Sequence, residues 1–354
     1  MAPVILELKS RDLCVSVCTT GQQRQMLDQM LGIFNITPDH DLNIMSARQT
    51  LDHISAQSLS GLGPVIDQEK PDFVLVQGDT TTAFIGALVA FYHKVPIAHV
   101  EAGLRTQDKY NPYPEEMNRR LITQLADHHF APTPQAKANL IASGVGKESI
   151  HVVGNTVIDA LNMVSARKLP ITSPAVQKIL ETQSDIVLIT THRRENLGQG
   201  MDQIFTAIAK LAAKYPSLDF IFPVHLNPAI QAHVAATLSN YANVHLMSPL
   251  EYSDLVKVMQ AAKLILTDSG GIQEEAPTFG VPVLVLRTTT ERPEGVEAGV
   301  AKLVGAEAAS IFKEADALLS SPEAHAVMAK SANPYGDGRT AKRIVDILIE
   351  AADS

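Results

Sequence analysis

Residues 264–279 read LILTDSGGIQEEAPTF. A short apolar run gives way to a turn of small and polar residues and then to a segment that suits a helix. The run is too short for a buried helix and is bounded by turn residues, so it fits a strand covered on both faces. Working outward, the same unit recurs along the chain. In the first half the expected strands are 13–19 (LCVSVCT), 73–77 (FVLVQ), 97–100 (IAHV), 128–131 and 150–153. In the second half they are 186–191 (IVLITT), 218–224 (LDFIFPV), 243–247 (NVHLM), 264–267 and 283–286 (VLVL). Strands that alternate with helical periods predict an α/β fold with parallel sheets wrapped by helices.

At 354 residues the chain exceeds one ordinary core and suits two domains of roughly 150 to 200 residues, with a cleft between them. The polar stretch ARKLPITSPAVQKILETQSD, with Pro170 and Pro174, reads as the linker. The expected division is a first domain over 1–166 and a second over 167–337. The amphipathic tail, 338–354, is expected to pack back on the first domain.

With 45% hydrophobic and 19% charged residues, the composition is that of a soluble globular protein. A formal net charge of −9 argues against nucleic acid or an anionic membrane surface as partner. No signal pattern or long apolar run is present, which points to the cytoplasm. Cys14 and Cys18 read as small buried hydrophobes rather than a disulfide or metal pair. The 12 histidines show neither the helical pair nor the Cys/His cluster of a zinc site, so no metal is expected. GLGPVI at 61–66 lacks a dinucleotide fingerprint's third glycine, and SGVGKES at 143–149 lacks the first glycine of a P-loop. There is no case for NAD, ATP or any other cofactor.

Ligands of open parallel sheets bind beyond the carboxyl ends of the strands. Four such turns carry chemistry: Gly78-Asp79-Thr80, Glu101-Ala102-Gly103, His192-Arg193-Arg194 and Asp268-Ser269-Gly270-Gly271. The last, at the start of a helix, suits a diphosphate, because small residues let backbone N–H groups approach it; the plain alternative is a tight turn capped by Ser269. Glu274 and Glu275 follow in position to meet ribose hydroxyls, and Arg292 to reach the same phosphates. Asp79 and Glu101 end neighbouring strands, and Glu115 opens a helix behind Pro114. Crowded carboxylates raise one another's pKa, which lets one act as acid and another as base. An acidic wall facing a basic one suits cleavage of a bond to an anionic leaving group, hence a nucleotide-linked substrate.

These turns, in this order, resemble the non-hydrolysing UDP-N-acetylglucosamine 2-epimerases of bacteria. The resemblance runs through GQQRQMLDQML, DLNIM, PDFVLVQGDTTT, HVEAGLRT, PYPEEMNR, GNTVIDAL, THRRE, PVHLNP, LILTDSGGIQEEAP, TTERPE and NPYGDG. It implies the GT-B fold, two Rossmann-like domains with the active site between them, and interconversion of UDP-GlcNAc and UDP-ManNAc through a 2-acetamidoglucal. It implies Asp79, Glu101, Glu115 and His192 as catalytic residues, and Ser269, Gly270, Gly271, Glu275, Arg292 and Leu255 around UDP. It further implies an activating second UDP-GlcNAc at Gln22, Gln25, Arg48, Gln49 and His225, a homodimer, and a role in cell-surface polysaccharide. Gln23 stands where the family has His, and Leu250 and Leu255 where many members have Gln and Phe. The opening MAPVILELK matches the interior of the family's first helix, so the first strand and its Gly-Thr-Arg-Pro-Glu turn are expected to be missing before Met1. The competing readings are a UDP-sugar binder impaired by that loss, a GT-B glycosyltransferase and a hydrolysing epimerase that releases free ManNAc.

Overall fold

A computed structural model describes every residue except Gln23, Ala47, Arg48, Gln107, Lys168, residues 192–197 and Ser354; of Gln25 and Ala229 it describes the backbone alone. The chain divides into two compact units, Met1–Ala160 with Tyr335–Ser354, and Leu161–Pro334.

The first unit runs α1 (Ala2–Ser10), β1 (Cys18–Thr19), α2 (Arg24–Phe34), β2 (His40–Asp41), α3 (Leu51–Glu69), β3 (Val74–Gln77), α4 (Thr81–Tyr92) and β4 (Ile97–Val100). It continues through α5 (Glu115–Leu125), β5 (His128–Ala131), α6 (Pro134–Ala142) and β6 (Ile150–Val152), and α7 (Thr156–Ala166) leads the chain onward. Strands β3-β4-β5-β6 form one parallel sheet in sequence order, with Gln77 opposite Val100. Threonines cap the crossover helices: the Thr80 and Thr133 hydroxyls each accept the N–H three residues on, from Ala83 and Ala136, at 3.1 Å. Helix α4 buries Ala83, Ile85, Ala87, Val89 and Ala90, which is why it is apolar nearly all round. The terminal helix α16 (Thr340–Ala352) belongs to this unit, where Ile344, Val345 and Leu348 share a core with Val4, Val100 and Phe130.

Two expectations for this half need correction. The strand expected over 13–19 shrinks to Cys18–Thr19, paired only with β2, a strand the sequence did not suggest. Just before it, the Val17 N–H donates to the Asp39 carboxylate at 2.8 Å, and the Val17 carbonyl accepts from the N–H groups of Asp39 and His40 at 2.8 and 3.1 Å. Among the described residues no bridge joins β1-β2 to β3. Nor are the cysteines buried: Cys14 is exposed and Cys18 half-buried, both as free thiols. GLGPVI lies inside α3, far from any strand-to-helix turn.

The second unit runs α8 (Pro174–Thr182), β7 (Ile186–Thr190), α9 (Gln199–Lys214), β8 (Asp219–Pro223), α10 (Pro228–Leu238), β9 (Val244–Met247), α11 (Tyr252–Ala261) and β10 (Ala262–Thr267). Then follow α12 (Gly270–Glu275), β11 (Val283–Val285), α13 (Pro293–Glu297), β12 (Ala301–Leu303), α14 (Ala308–Ser320) and α15 (Pro322–Ala329). Its six strands are parallel, in the order β12-β11-β10-β7-β8-β9. Numbered from β7, that is the doubly wound order 3-2-1-4-5-6, whose direction of winding reverses between β7 and β10. Strand β12 was not expected; AKL is too short and too exposed at Lys302 to stand out as a buried run. The core packs Val187, Ile189, Leu264 and Leu266 of the central strands against Ile204, Phe205, Ile208 and Leu211 of α9 and Ile311 of α14. Each such side chain stabilises the unit by about 1.5–3 kcal/mol. Parallel α/β units of this kind are what the GT-B expectation requires.

Candidate functional site

In the first unit the turns after β3 and β4 meet at one edge. Gly78 has φ +70° and the next strand's Glu101 has φ +64°. A left-handed backbone costs an ordinary residue on the order of 1 kcal/mol or more and persists where surrounding structure fixes it. Here it places the Glu101 carboxylate beside Gly78, where an added Cβ would lie 3.5 Å from Oε2. The carbonyl of Gly78 accepts from Nε2–H of the fully buried His99 at 2.8 Å. Burial holds His99 neutral, with its pKa lowered to about 4.

Helix α5 docks on the same edge. Arg119 Nε donates to Asp79 Oδ2 at 2.8 Å and its Nη2 lies 2.7 Å from the same oxygen as an ion pair, while Asn118 Nδ2 donates to the Asp79 carbonyl at 2.8 Å. Glu116, fully buried, accepts from the Thr106 N–H at 3.0 Å and from Arg120 Nε at 2.8 Å, and lies 3.4 Å from Arg119 Nη1. Glu115 begins the helix; its Oε2 is buried and accepts no hydrogen bond among the described residues. Thus Asp79 and Glu101 sit at adjacent turns, and α5, which carries Glu115, is pinned to the first of them. His99, Glu116 and Arg119 had escaped the reading of the sequence. The i, i+3 and i, i+4 spacing of Glu116 with Arg119 and Arg120 was a usable signal, but such pairs are common on solvated helices.

Gln22 and Gln49 lie together in this unit. Gln22 Oε1 accepts from the Thr82 hydroxyl at 2.8 Å and its carbonyl accepts from Gln49 Nε2 at 3.1 Å; Gln49 Oε1 is buried with no donor among the described residues. Arg48 and the side chain of Gln25 lie outside what the structure describes.

In the second unit, doubly wound topology puts the ligand crevice at the carboxyl ends of β7 and β10. Thr190 and Thr267, paired in register there, share a 2.6 Å hydroxyl contact. Beyond β7 the chain enters 192–197, so His192, expected to be catalytic, lies outside the described residues. Beyond β10, Ser269 occupies the N-cap position of α12, but its hydroxyl makes no capping bond. Its carbonyl instead accepts from Gln273 Nε2 at 3.1 Å, and Gln273 Oε1 accepts from the Thr290 hydroxyl at 2.7 Å. The Arg292 guanidinium lies over Gly270, where an added Cβ would come within 2.6 Å of Cζ, so a side chain there would displace the guanidinium.

Arg292 Nε donates to Glu274 Oε1 at 2.6 Å. Burial raises the Glu274 pKa and the guanidinium opposes that rise. Glu275 Oε2 accepts from the Tyr252 hydroxyl at 3.2 Å. Burial, with the charge of Glu274 adding to it, pushes Glu275 up to about 7 although the bond from Tyr252 acts the other way. Burial likewise raises the Tyr252 phenol well above its usual range. Leu255 is half-buried one turn along α11 from Tyr252. The structure therefore brings Ser269, Gly270, Gly271, Glu275 and Arg292 to one crevice end, and adds Tyr252 and Gln273, which no sequence pattern had marked. His225, after β8, is exposed; its Nδ1 accepts from the Asn227 N–H at 3.1 Å.

The first unit thus carries a cluster of acids, and the second, by itself, an arginine-covered glycine turn at its crevice. Comparison with known proteins identifies the family. The sequence profile of the family described as UDP-N-acetylglucosamine 2-epimerase matches residues 6–349. The chain is 49% identical to the UDP-N-acetylglucosamine 2-epimerase of Neisseria meningitidis, over 99% of this chain and 95% of that protein. It is 46% identical to that of Escherichia coli K12, over 98% and 94%. Among solved structures, the Neisseria meningitidis UDP-GlcNAc 2-epimerase bound to UDP-GlcNAc superposes with a TM-score of 0.88 at 48% identity, covering 99% of this chain and 96% of that one. The Methanocaldococcus jannaschii UDP-GlcNAc 2-epimerase in complex with UDP-GlcNAc and UDP gives 0.79 at 34% identity, covering 99% and 95%.

Proposed function

Since the chain belongs to the UDP-N-acetylglucosamine 2-epimerase family, an isomerase family, we propose that it interconverts UDP-GlcNAc and UDP-ManNAc by eliminating and re-adding UDP. The observation that supports the reading is that Asp79 and Glu101 follow the paired strands β3 and β4 and that α5, which begins with Glu115, is tied to Asp79 through Arg119, with one buried Glu115 oxygen left without a donor among the described residues. C2 of the sugar has no carbonyl neighbour to acidify its hydrogen. Removal of that proton is therefore coupled to departure of UDP from C1, which gives 2-acetamidoglucal. Return of UDP to C1 and of a proton to the opposite face of C2 completes the inversion. The three carboxylates supply and take the protons, and His192 serves the leaving diphosphate or the sugar. Ser269, Gly270, Gly271 and Arg292 hold the diphosphate, Glu275 accepts from ribose hydroxyls, and Leu255 lies along the uracil.

The same reading makes Gln22, Gln25, Arg48, Gln49 and His225 contacts of a second, activating UDP-GlcNAc. It places a homodimer in the cytoplasm, supplying ManNAc for cell-surface polysaccharide. No helix among the described residues is long and apolar enough to cross a membrane. The test is solvent deuterium: Asp79→Asn and Glu115→Gln each abolish its incorporation at C2, and full incorporation in both variants overturns the assignment. Product analysis with UDP-GlcNAc alone must show UDP-ManNAc rather than free ManNAc and UDP.

A further inference from the structure

We infer that Arg119 is a positioning residue for the reaction: through a buried strap that runs from the Thr106 N–H to Glu116, to Arg119 and to Asp79, it fixes where the Asp79 carboxylate points. The inference rests on the reading of Asp79 as an acid/base group. The guanidinium meets Asp79 Oδ2 with two nitrogens, a hydrogen bond from Nε and an ion-pair contact from Nη2, so that oxygen is held in position. Oδ1 has no donor among the described residues, and it is the oxygen left to meet a substrate.

Arg119 is itself anchored. Its side chain is 12% exposed, and its Nη1 faces Glu116, whose side chain is fully shielded from solvent. Glu116 has further partners in Arg120 Nε and the Thr106 N–H. Thr106 stands five residues beyond Glu101, and Glu115 is the residue before Glu116. One buried carboxylate therefore ties the segment that follows Glu101 to the helix that begins with Glu115, and its arginine neighbour ties that helix to Asp79. A solvated ion pair of the usual kind would need none of this burial. Asn118 reinforces the same contact through the Asp79 carbonyl. The strap is thus the element common to all three acids.

The test is a double-mutant cycle between Arg119→Gln and Asp79→Glu, which keeps a carboxylate and measurable turnover, read as kcat, KM, and the rate of solvent deuterium incorporation at C2 by mass spectrometry. Arg119→Gln is expected to lower kcat on the order of 100-fold, the scale of a misplacement near 1 Å. KM and UDP affinity are expected to stay within about threefold, because the lost interaction acts on the chemical step. In the Asp79→Glu background, whose carboxylate already lies out of place, the second substitution is expected to cost less than about threefold more, since Arg119 acts through Asp79. Guanidinium ion added in the tens of millimolar is expected to restore part of kcat to Arg119→Ala, a recovery that a purely structural defect would not show. Arg119→Lys keeps the charge without the paired N–H groups; with a wild-type melting temperature and a lowered kcat it supplies the same reading should the Gln variant fold poorly. A wild-type kcat in Arg119→Gln, or an equal further loss on top of Asp79→Glu, overturns the inference while the assignment of Asp79 stands. Full deuterium incorporation in Asp79→Asn alone removes the premise instead.

Discussion

Glu275 should weaken the protein that carries it, and the size of that effect follows from its surroundings. The side chain is 8% exposed, with one hydroxyl donor and the carboxylate of Glu274 nearby. Its pKa rises from 4.5 to about 7 because burial penalises the charged form. The sign follows from proton binding. Between pH 4.5 and 7 the unfolded chain has released this proton and the folded chain retains it, so stability falls as pH rises through that window and levels off above 7. At about 1.4 kcal/mol for each tenfold change in proton affinity, the ionised form costs about 3 kcal/mol above pH 7. Glu275→Gln removes the charge and keeps the shape. Any fixed cost of the amide is the same at both ends of the titration and cancels in the comparison. The variant should therefore gain about 2–3 kcal/mol on wild type between pH 5 and pH 8, which for a unit of this size is about 5–10 °C in melting temperature. Differential scanning calorimetry at the two pH values measures it, and titration with UDP should show binding lost in the same variant. Stability traded for a binding group in this way is common at functional sites. A melting difference that is the same at pH 5 and pH 8 would refute the reasoning.

The first unit should respond to acid in the opposite sense. His99 is buried and neutral with a pKa near 4, so as pH falls from about 6.5 to 4 the unfolded chain takes up a proton that the folded chain refuses, and stability drops by about 3 kcal/mol; His99→Gln should flatten that limb of a pH-dependent urea titration. Gly270→Ala drives a methyl group into the Arg292 guanidinium and should weaken UDP binding at least tenfold by calorimetry, with little change in deuterium exchange once UDP-sugar saturates. Leu348→Ala opens the core shared by α16 and α1 and should cost about 2–5 kcal/mol in urea unfolding. If a second UDP-GlcNAc activates the enzyme, assays started with UDP-ManNAc alone should show a lag that UDP-GlcNAc removes, and a linear start speaks against that site.

Runs such as IVLIT and LILT announced a parallel sheet because strands covered on both faces must be apolar at every position, and that requirement is local. The turns that follow them were legible for the same reason: small and charged residues directly after an apolar run stand at the carboxyl end of a strand whatever the rest of the chain does. Short edge pieces such as β2 and β12 were not legible, since two or three residues acquire strand geometry only from the neighbour they pair with. The 13–19 run shows the converse, an apolar stretch of which only Cys18 and Thr19 pair with another strand. Nor could sequence order tell which strands lie at the centre of the second sheet; the pairing of β7 with β10, across 76 residues between their register-matched Thr190 and Thr267, is a tertiary fact that creates the crevice.

The division is sharpest in PYPEEMNR. By itself the sequence determined that a helix starts at Glu115, and it made Glu115 a candidate alongside Asp79 and Glu101. Only the tertiary structure decided that its neighbour Glu116 turns wholly inward and that Arg119 reaches back 40 residues to grip Asp79. The reason is that a helical period fixes which residues share a face but not what that face meets. The same holds for Tyr252 and Glu275, 23 residues apart in the chain and joined by one hydrogen bond that only the folded second unit can form.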